Sequence, residues 1–335
     1  MTSARLKYTR TVGLCSMEGR GFYFPADTLI GQDEKLYTVS RSLDGDTRGV
    51  RVTIYDIDEE YYGTFSGYGD NPGSLIWPTS ITQSNDGNII VTDEYLNRVS
   101  FFEPNGQLIR SWGIAGSEEG SLDGPAGVAV DTENNVYVSD HHNHRIQVLS
   151  QGGSHRMSFG SYGTEAENLN SPWGITVAPN GDLYVADWYN DRIQRFNTDG
   201  TFVASYGESG RHENQLFRPA SVCVDDDNYI YIADWGNETV KVLDNSSELI
   251  QEMKGQATLS KWASAFLETN KEEGLSRENA NLDNLSALED TEDPHTVSAH
   301  IEKLFWSPVS VKLQKENLLL VTESNRHRIQ VYEIK

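Results

Sequence analysis

The sequence predicts an all-β fold, a six-bladed β-propeller, and three observations lead there. Four stretches read almost alike: 78–102 (PTSITQSNDGNIIVTDEYLNRVSFF), 125–149 (PAGVAVDTENNVYVSDHHNHRIQVL), 172–196 (PWGITVAPNGDLYVADWYNDRIQRF) and 219–243 (PASVCVDDDNYIYIADWGNETVKVL). Their opening prolines are each 47 residues apart, and weaker copies start at Pro25 and Pro308. Each copy reads as four short alternating strands with a turn after each, and four strands in a period of this length make one propeller blade.

Within a copy the first strand opens at the proline. In the third full copy GITVAP alternates, Asn180-Gly181-Asp182 gives a hairpin signal, and LYVAD alternates again. After Asp-x-x-Asn-x-Arg come IQRF, a turn at Thr198-Asp199-Gly200, and TFVASYG as the fourth strand. The chain ends on RIQVYEIK, the third strand of the sixth copy. Its fourth strand is expected from the other terminus, because 7–13 (KYTRTVG) resembles 202–207 (FVASYG). Closing the ring with both termini in one blade removes the open sheet edge. Residues 1–335 are thus read as one domain. Pro308 follows Pro219 by 89 residues, 42 more than one period, so 256–303 is an insertion between blades five and six.

Residues that recur in every blade are expected to be structural. The acid ending the second strand returns as Asp93, Asp140, Asp187, Asp234 and Glu323, with Ser40 in the first copy. It is expected to cap the following turn. Arg98, Arg145, Arg192 and Arg328 follow five residues later and are expected to pair with acids between blades. Asn143, Asn190 and Asn237 read as turn formers. Ser80, Gly127, Gly174, Ser221 and Ser310, two residues after the prolines, are small because six strands converge there. Asp27 breaks that rule. It reads either as a cation-binding or basic group, or as an exposed residue at the channel mouth.

Composition narrows the function. Lys and Arg number 27 against 50 Asp and Glu, a net charge of −23. The pI is about 4.6 and the mean hydropathy −0.54. Such a chain is a poor partner for nucleic acid or for an anionic membrane surface. No apolar run approaches the length of a span, and the first residues lack the apolar core of a signal peptide, so a cytoplasmic protein is expected. Cys15 and Cys223 are far apart, and Cys223, in an alternating run, reads as a buried thiol. The sequons at Asn237, Asn245 and Asn284 carry little weight without secretion.

The stretches 140–146 (DHHNHRI) and 187–193 (DWYNDRI), with Pro-x-Gly-Ile/Val-x-Val openings and Asn-Gly or Asp-Gly hairpins, resemble the NHL repeat. The resemblance covers nearly the whole chain outside the insertion. It implies a six-bladed propeller without implying one activity, since the family includes interaction modules and is related to peptide-amidating lyases and gluconolactonase-type lactonases. Those enzymes' motifs do not transfer. The residues after the blade-entry prolines, where the lyases carry metal histidines, are Ala26, Thr79, Ala126, Trp173, Ala220 and Val309. The lactonases' early glutamate is missing from 20–25 (RGFYFP).

A site is expected on the face shared by the blade-entry loops and the second-to-third-strand loops, around the channel. The entry loops supply Phe24, Trp77, Trp173, Phe217, Arg218 and Trp306. The other loops supply Arg41, Tyr95, His141, His142, Trp188, Tyr189 and Trp235. Five of the seven tryptophans fall in this set, the composition of a ligand pocket or an interface anchor. Trp77, Tyr95, His141, Trp173, Trp188, Arg218, Trp235 and Trp306 are the expected ligand-binding residues. A metal at His141-His142-x-His144 or at Asp225-Asp226-Asp227-Asn228 is possible but not expected, because adjacent histidines diverge and the acidic turn lacks a calcium loop's spacing. No cofactor is expected. In the insertion, 259–267 reads as an amphipathic helix, 270–293 as a polar segment and 300–306 as a second short helix. Two roles fit it, a lid or docking element over the pocket and an ornament on the blade edge. The expected function is binding of a small ligand or protein on the channel face, without catalysis. The alternative is a lyase or lactonase-like hydrolase at the channel mouth, with Asp27, Arg20, Arg41 and His141 as its candidate groups.

Overall fold

The computed structural model describes residues 5–43, 46–283, 291–314 and 317–335. Six four-stranded antiparallel sheets follow one another around an axis. Blade one spans 25–65, two 78–112, three 125–159, four 172–206 and five 219–253. Blade six is made of Pro308–Gln314, Leu318–Glu323 and Arg328–Ile334, with Leu6–Val12 as its outer strand. All six inner strands begin at the repeated proline, which has no N–H to donate and fixes φ where the chain turns down the channel wall. Of the three sequons, Asn284 lies outside the described residues.

The core lies between blades. Val39, Val52, Ile81 and Val91, for example, pack blade one against blade two. A buried tyrosine at the same place in the second strand recurs as Tyr37, Tyr137 and Tyr231. Each donates its hydroxyl to the carboxylate of the preceding turn, Asp33, Asp131 or Asp225, at 2.8–3.0 Å. This explains Asp225: its carboxylate also accepts the Asp227 and Tyr229 N–H groups and pairs with Arg5 at 2.5 Å, so the cation at this turn is an arginine.

The small residues two positions after the prolines sit where expected. A Cβ on Gly174 would lie 2.6 Å from the Ala220 carbonyl oxygen and 2.8 Å from Ser221 Cα, both backbone atoms of the next blade. Gly174→Ala is therefore expected to cost about 1–3 kcal/mol by overpacking, read as a lowered urea midpoint at unchanged slope.

The insertion differs from its expected layout. The first helix, α1 (Lys261–Thr269), starts two residues late because Ser260 caps it by accepting the Ala263 N–H. A second, α2 (Lys271–Glu278), forms in the segment expected to be merely polar, with Glu272 and Glu273 at its start and Arg277 near its end, as the helix dipole favours. The third, α3, occupies Pro294–His300, not 300–306. Asp293 caps it by accepting the Thr296 N–H, and Pro294 fits its first turn. Beyond it the chain turns, with the Leu304 N–H on the Ile301 carbonyl, and Phe305 enters the core. α1 is fixed by Trp262, which packs on Phe22 and Tyr55 and donates its indole N–H to the Glu59 carbonyl at 2.6 Å. No helix among the described residues is long and apolar enough to cross a membrane.

Candidate functional site

Two recurring clasps shape the channel face. The acid ending each second strand accepts the N–H of the residue two before its own blade's proline: Ile76, Asp123, Asn170, Phe217 and Trp306 donate to Asp93, Asp140, Asp187, Asp234 and Glu323. Asp140 and Asp187 also hold the asparagine and arginine of the motif, as in Asp187 with Asn190 and Arg192, both at 2.8 Å, and Glu323 holds Arg328 at 2.8 Å, whereas Arg98 donates to the carbonyls of Asp70, Asn71 and Ser74. The arginine pairs are thus within a blade, not between blades as expected, because the two strands run antiparallel and bring Asp and Arg opposite each other. In blade five Thr239 stands where the arginine would, and Lys241, 1 % exposed and in the column of Gln147 and Gln194, supplies the cation instead, reaching Asp234 at 3.0 Å. Burial among these partners still lifts the Asp234 carboxyl to about 6.

The links between blades come from a different column. Asn97, His144, Asp191, Glu238 and His327 each accept the N–H of the residue just before the next blade's proline: Gly124, Ser171, Arg218, Ser307 and Phe24, at 2.6–3.0 Å. All five donors have positive φ, and the latch holds them there. From blade one to blade two, Arg41 takes over by donating to the Pro78 carbonyl at 2.8 Å. These latches were missed from the sequence, although the column is polar in five copies.

With the loops so fixed, side chains from successive blades form an arc around the mouth. The Arg41 guanidinium lies over Trp77 at 5.0 Å and Trp173 at 5.9 Å. Trp173 meets His141 at 5.0 Å and Trp188 at 5.5 Å, and Trp188 meets Trp235 at 5.1 Å. His295 of α3 continues it, 5.7 Å from Trp235 and 6.2 Å from Trp306, and Arg326 lies over Trp306 at 5.2 Å. The five tryptophans are all partly buried, each with a ring held by neighbours and part of it in solvent. Among the expected ligand-binding residues, Arg218 lies beside the arc over Tyr189 at 5.1 Å. Tyr95 is 70 % exposed and, among the described residues, stacks on none of these rings.

Burial shifts the polar groups here. His141 donates from Nδ1 to the Pro172 carbonyl oxygen and is held down to about 4, chiefly by desolvation and then by His142. The Arg41 guanidinium is also pushed down by burial. Glu238, 2 % exposed, is pushed up to about 8 by desolvation, although it accepts the Ser307 N–H and touches His295 Nδ1.

Below the arc the channel is nearly closed. Its cavity is about 20 Å³, room for one water, and Trp173 forms part of its wall where five other blades have a small residue. Asp27 lies in it, 4 % exposed. One carboxylate oxygen accepts from Thr28 N–H and Ser310 hydroxyl, the other from Ser80 hydroxyl and Ile81 N–H, and Lys312 pairs with it at 3.2 Å. Asp27 is therefore neither exposed nor a free base, and the cation beside it is Lys312. Of the other candidate groups Arg20 is exposed, and His142 faces Asp123 at 3.1 Å. Among the described residues no three His, Cys, Asp or Glu side chains converge as a metal site would require. A separate hollow of about 490 Å³ lies between α1, α2 and segment 11–15.

The family model for the NHL repeat matches residues 122–149 and 169–196, within blades three and four. The chain carries NHL repeats. No curated protein matches it. Among solved structures this NHL propeller is similar to a streptogramin B lyase, with 13 % identity over the whole of both chains and a TM-score of 0.59. It is similar to a virginiamycin B lyase from Staphylococcus aureus, with 11 % identity, 98 % of this chain and all of the other covered, and a TM-score of 0.57. A putative gluconolactonase gives 13 % identity, all of this chain and 93 % of the other, and a TM-score of 0.60. At these identities the likeness is one of fold.

Proposed function

We propose that this NHL propeller is a binding protein that takes a small ligand or a protein partner on its channel face and catalyses no reaction. The unbroken arc from Trp77 to Trp306 carries this reading. Partly buried, pre-positioned indoles flanked by arginines are what binding anchors are made of. The channel supports it too, since Asp27 has both oxygens engaged and the space around it holds about one water. We place the protein in the cytoplasm, without nucleic acid or membrane as partner. The charge of −23 and two unpaired thiols agree with this, as does an Asn237 side chain buried in its clasp.

Affinity capture from a cytosolic extract, using the intact protein and a Trp188→Ala/Trp235→Ala variant as baits, tests the reading. Species enriched on the intact protein are expected to fall by about ten-fold or more on the variant. Equal capture on both baits overturns it. Turnover of a lactone or a cyclic depsipeptide by the intact protein, lost in Asp27→Asn, would establish the enzymatic alternative instead.

A further inference from the structure

The arc holds one station whose chemistry is more specific than aromatic stacking. His295 stands between the rings of Trp235 and Trp306, with the buried Glu238 carboxylate against its Nδ1. Two indoles and a carboxylate around one nitrogenous group make an aromatic–acidic cage, the arrangement that recognises cations by ring quadrupole and charge together. The cage walls are held at the backbone: Trp235 opens the turn that Asp234 clasps, Trp306 donates its backbone N–H to Glu323, and the second Glu238 oxygen is tied to the Ser307 N–H.

Its occupant is not rigid in the same sense. α3 buries only Ser298, so no apolar side chain roots it in the core. It is held on the face by His295 and by the Arg326 guanidinium, which donates to the carbonyls of Ser298, Ala299 and Ile301 at 2.8–3.2 Å. The insertion's firm anchor is elsewhere, at Trp262 of α1. An element held by a few polar contacts is drawn from the least stable part of a fold and opens before the rest.

Resting on the binding reading above, we infer that the cage of Trp235, Trp306 and Glu238 receives a cationic side chain, lysine or arginine, of a basic protein segment, and that His295 fills it in the free protein. The insertion then competes with the partner for its own site. The chain's charge of −23 favours this partner class, since a strongly acidic surface draws basic segments toward it and speeds their encounter. Once α3 lifts, Glu238 is left facing the two rings, and an incoming cation draws it into its ionised form and replaces what the imidazole supplied.

The test titrates a peptide of four Gly-Arg repeats, capped at both ends, against the intact protein and follows tryptophan fluorescence. The same peptide with citrulline in place of arginine keeps the length and planar shape but loses the charge, one NH2 donor being replaced by a carbonyl acceptor. His295→Ala empties the cage and should bind the arginine peptide about five-fold or more tightly than wild type. His295→Lys fills it with a permanent cation and should bind about five-fold more weakly. His295 is partly exposed, so both variants should fold, and unchanged melting confirms it. Adding Glu238→Gln to His295→Ala, which keeps an acceptor for Ser307, should abolish the gain. Equal affinity in all variants means diffuse attraction to an acidic surface and overturns the inference, as does failure of His295→Ala to bind at all. Equal binding of the citrulline peptide, lost in Trp188→Ala, overturns the cation specificity but leaves the arc as a binding surface. Citrulline binding untouched by Trp188→Ala would count against both.

Discussion

Asp27→Ala is expected to destabilise the propeller by about 3–5 kcal/mol, because it removes one partner of a buried, fully bonded ion pair and leaves the rest behind. The position is the small-residue column of the repeat, and the two hydroxyls that reach Asp27 come from the same column in the flanking blades, Ser80 of blade two and Ser310 of blade six. One carboxylate therefore ties three inner strands together. Without it Lys312 loses its counter-charge, the Thr28 and Ile81 N–H groups lose their acceptor, and the cavity has room for about one water to replace five contacts. Lys312 is about a quarter exposed and can turn outward, which sets the estimate at the lower end. Asp27→Asn should lose less, about 1–3 kcal/mol, since one oxygen still accepts while the new amide faces an N–H donor. Urea unfolding of the three proteins at neutral pH decides the matter. If Asp27→Asn unfolds with wild type, the carboxylate is not a staple, and the basic group considered for this position returns.

Asp27 also shows what was legible in the sequence and what was not. That the position is exceptional follows from the column of Ser and Gly, which is a one-dimensional pattern. That the exception serves packing depends on Lys312, 285 residues away in the chain, facing the same axis. The blade count, the opening prolines and the closure by Leu6–Val12 were legible because each repeats or completes a period. The tryptophans of the arc were legible as variable positions on one face. His295 was not, since the insertion has no repeat to compare with and its helices are set by local caps at Ser260 and Asp293. The latches lay in plain view as Asn97, His144, Asp191, Glu238 and His327. They differ in size and charge, and only their common role as hydrogen-bond acceptors unites them.

That common role gives a pH prediction. His327 Nδ1 accepts the Phe24 N–H, so it must be unprotonated for the latch to form. Desolvation, with Arg326 beside it, holds His327 down to about 4. A histidine whose folded pKa lies below its ordinary value of about 6.5 contributes fully above that pH and loses its contribution as pH falls from 6.5 toward 4. The full loss is about 3 kcal/mol, at 1.36 kcal/mol for each unit. Asparagine does the same job in blade two, where Asn97 accepts the Gly124 N–H at 2.8 Å. His327→Asn should therefore keep the latch and discard its acid sensitivity. At pH 7.5 the variant should be less stable than wild type by about 1 kcal/mol, because the stack on Tyr23 at 5.4 Å and the edge contact with Phe24 at 4.5 Å are lost. Near pH 4.5 the order should reverse, the variant being more stable by about 1–2 kcal/mol. Other shifted groups do not obscure this. His141 acts in the same direction as His327, while Glu238 and Asp234, raised by burial, favour the folded state as pH falls. All three are common to both proteins and cancel in the difference. Unfolding curves of the pair between pH 4.5 and 7.5 should cross, and parallel curves would show that the proton on His327 has no part in holding blade six to blade one.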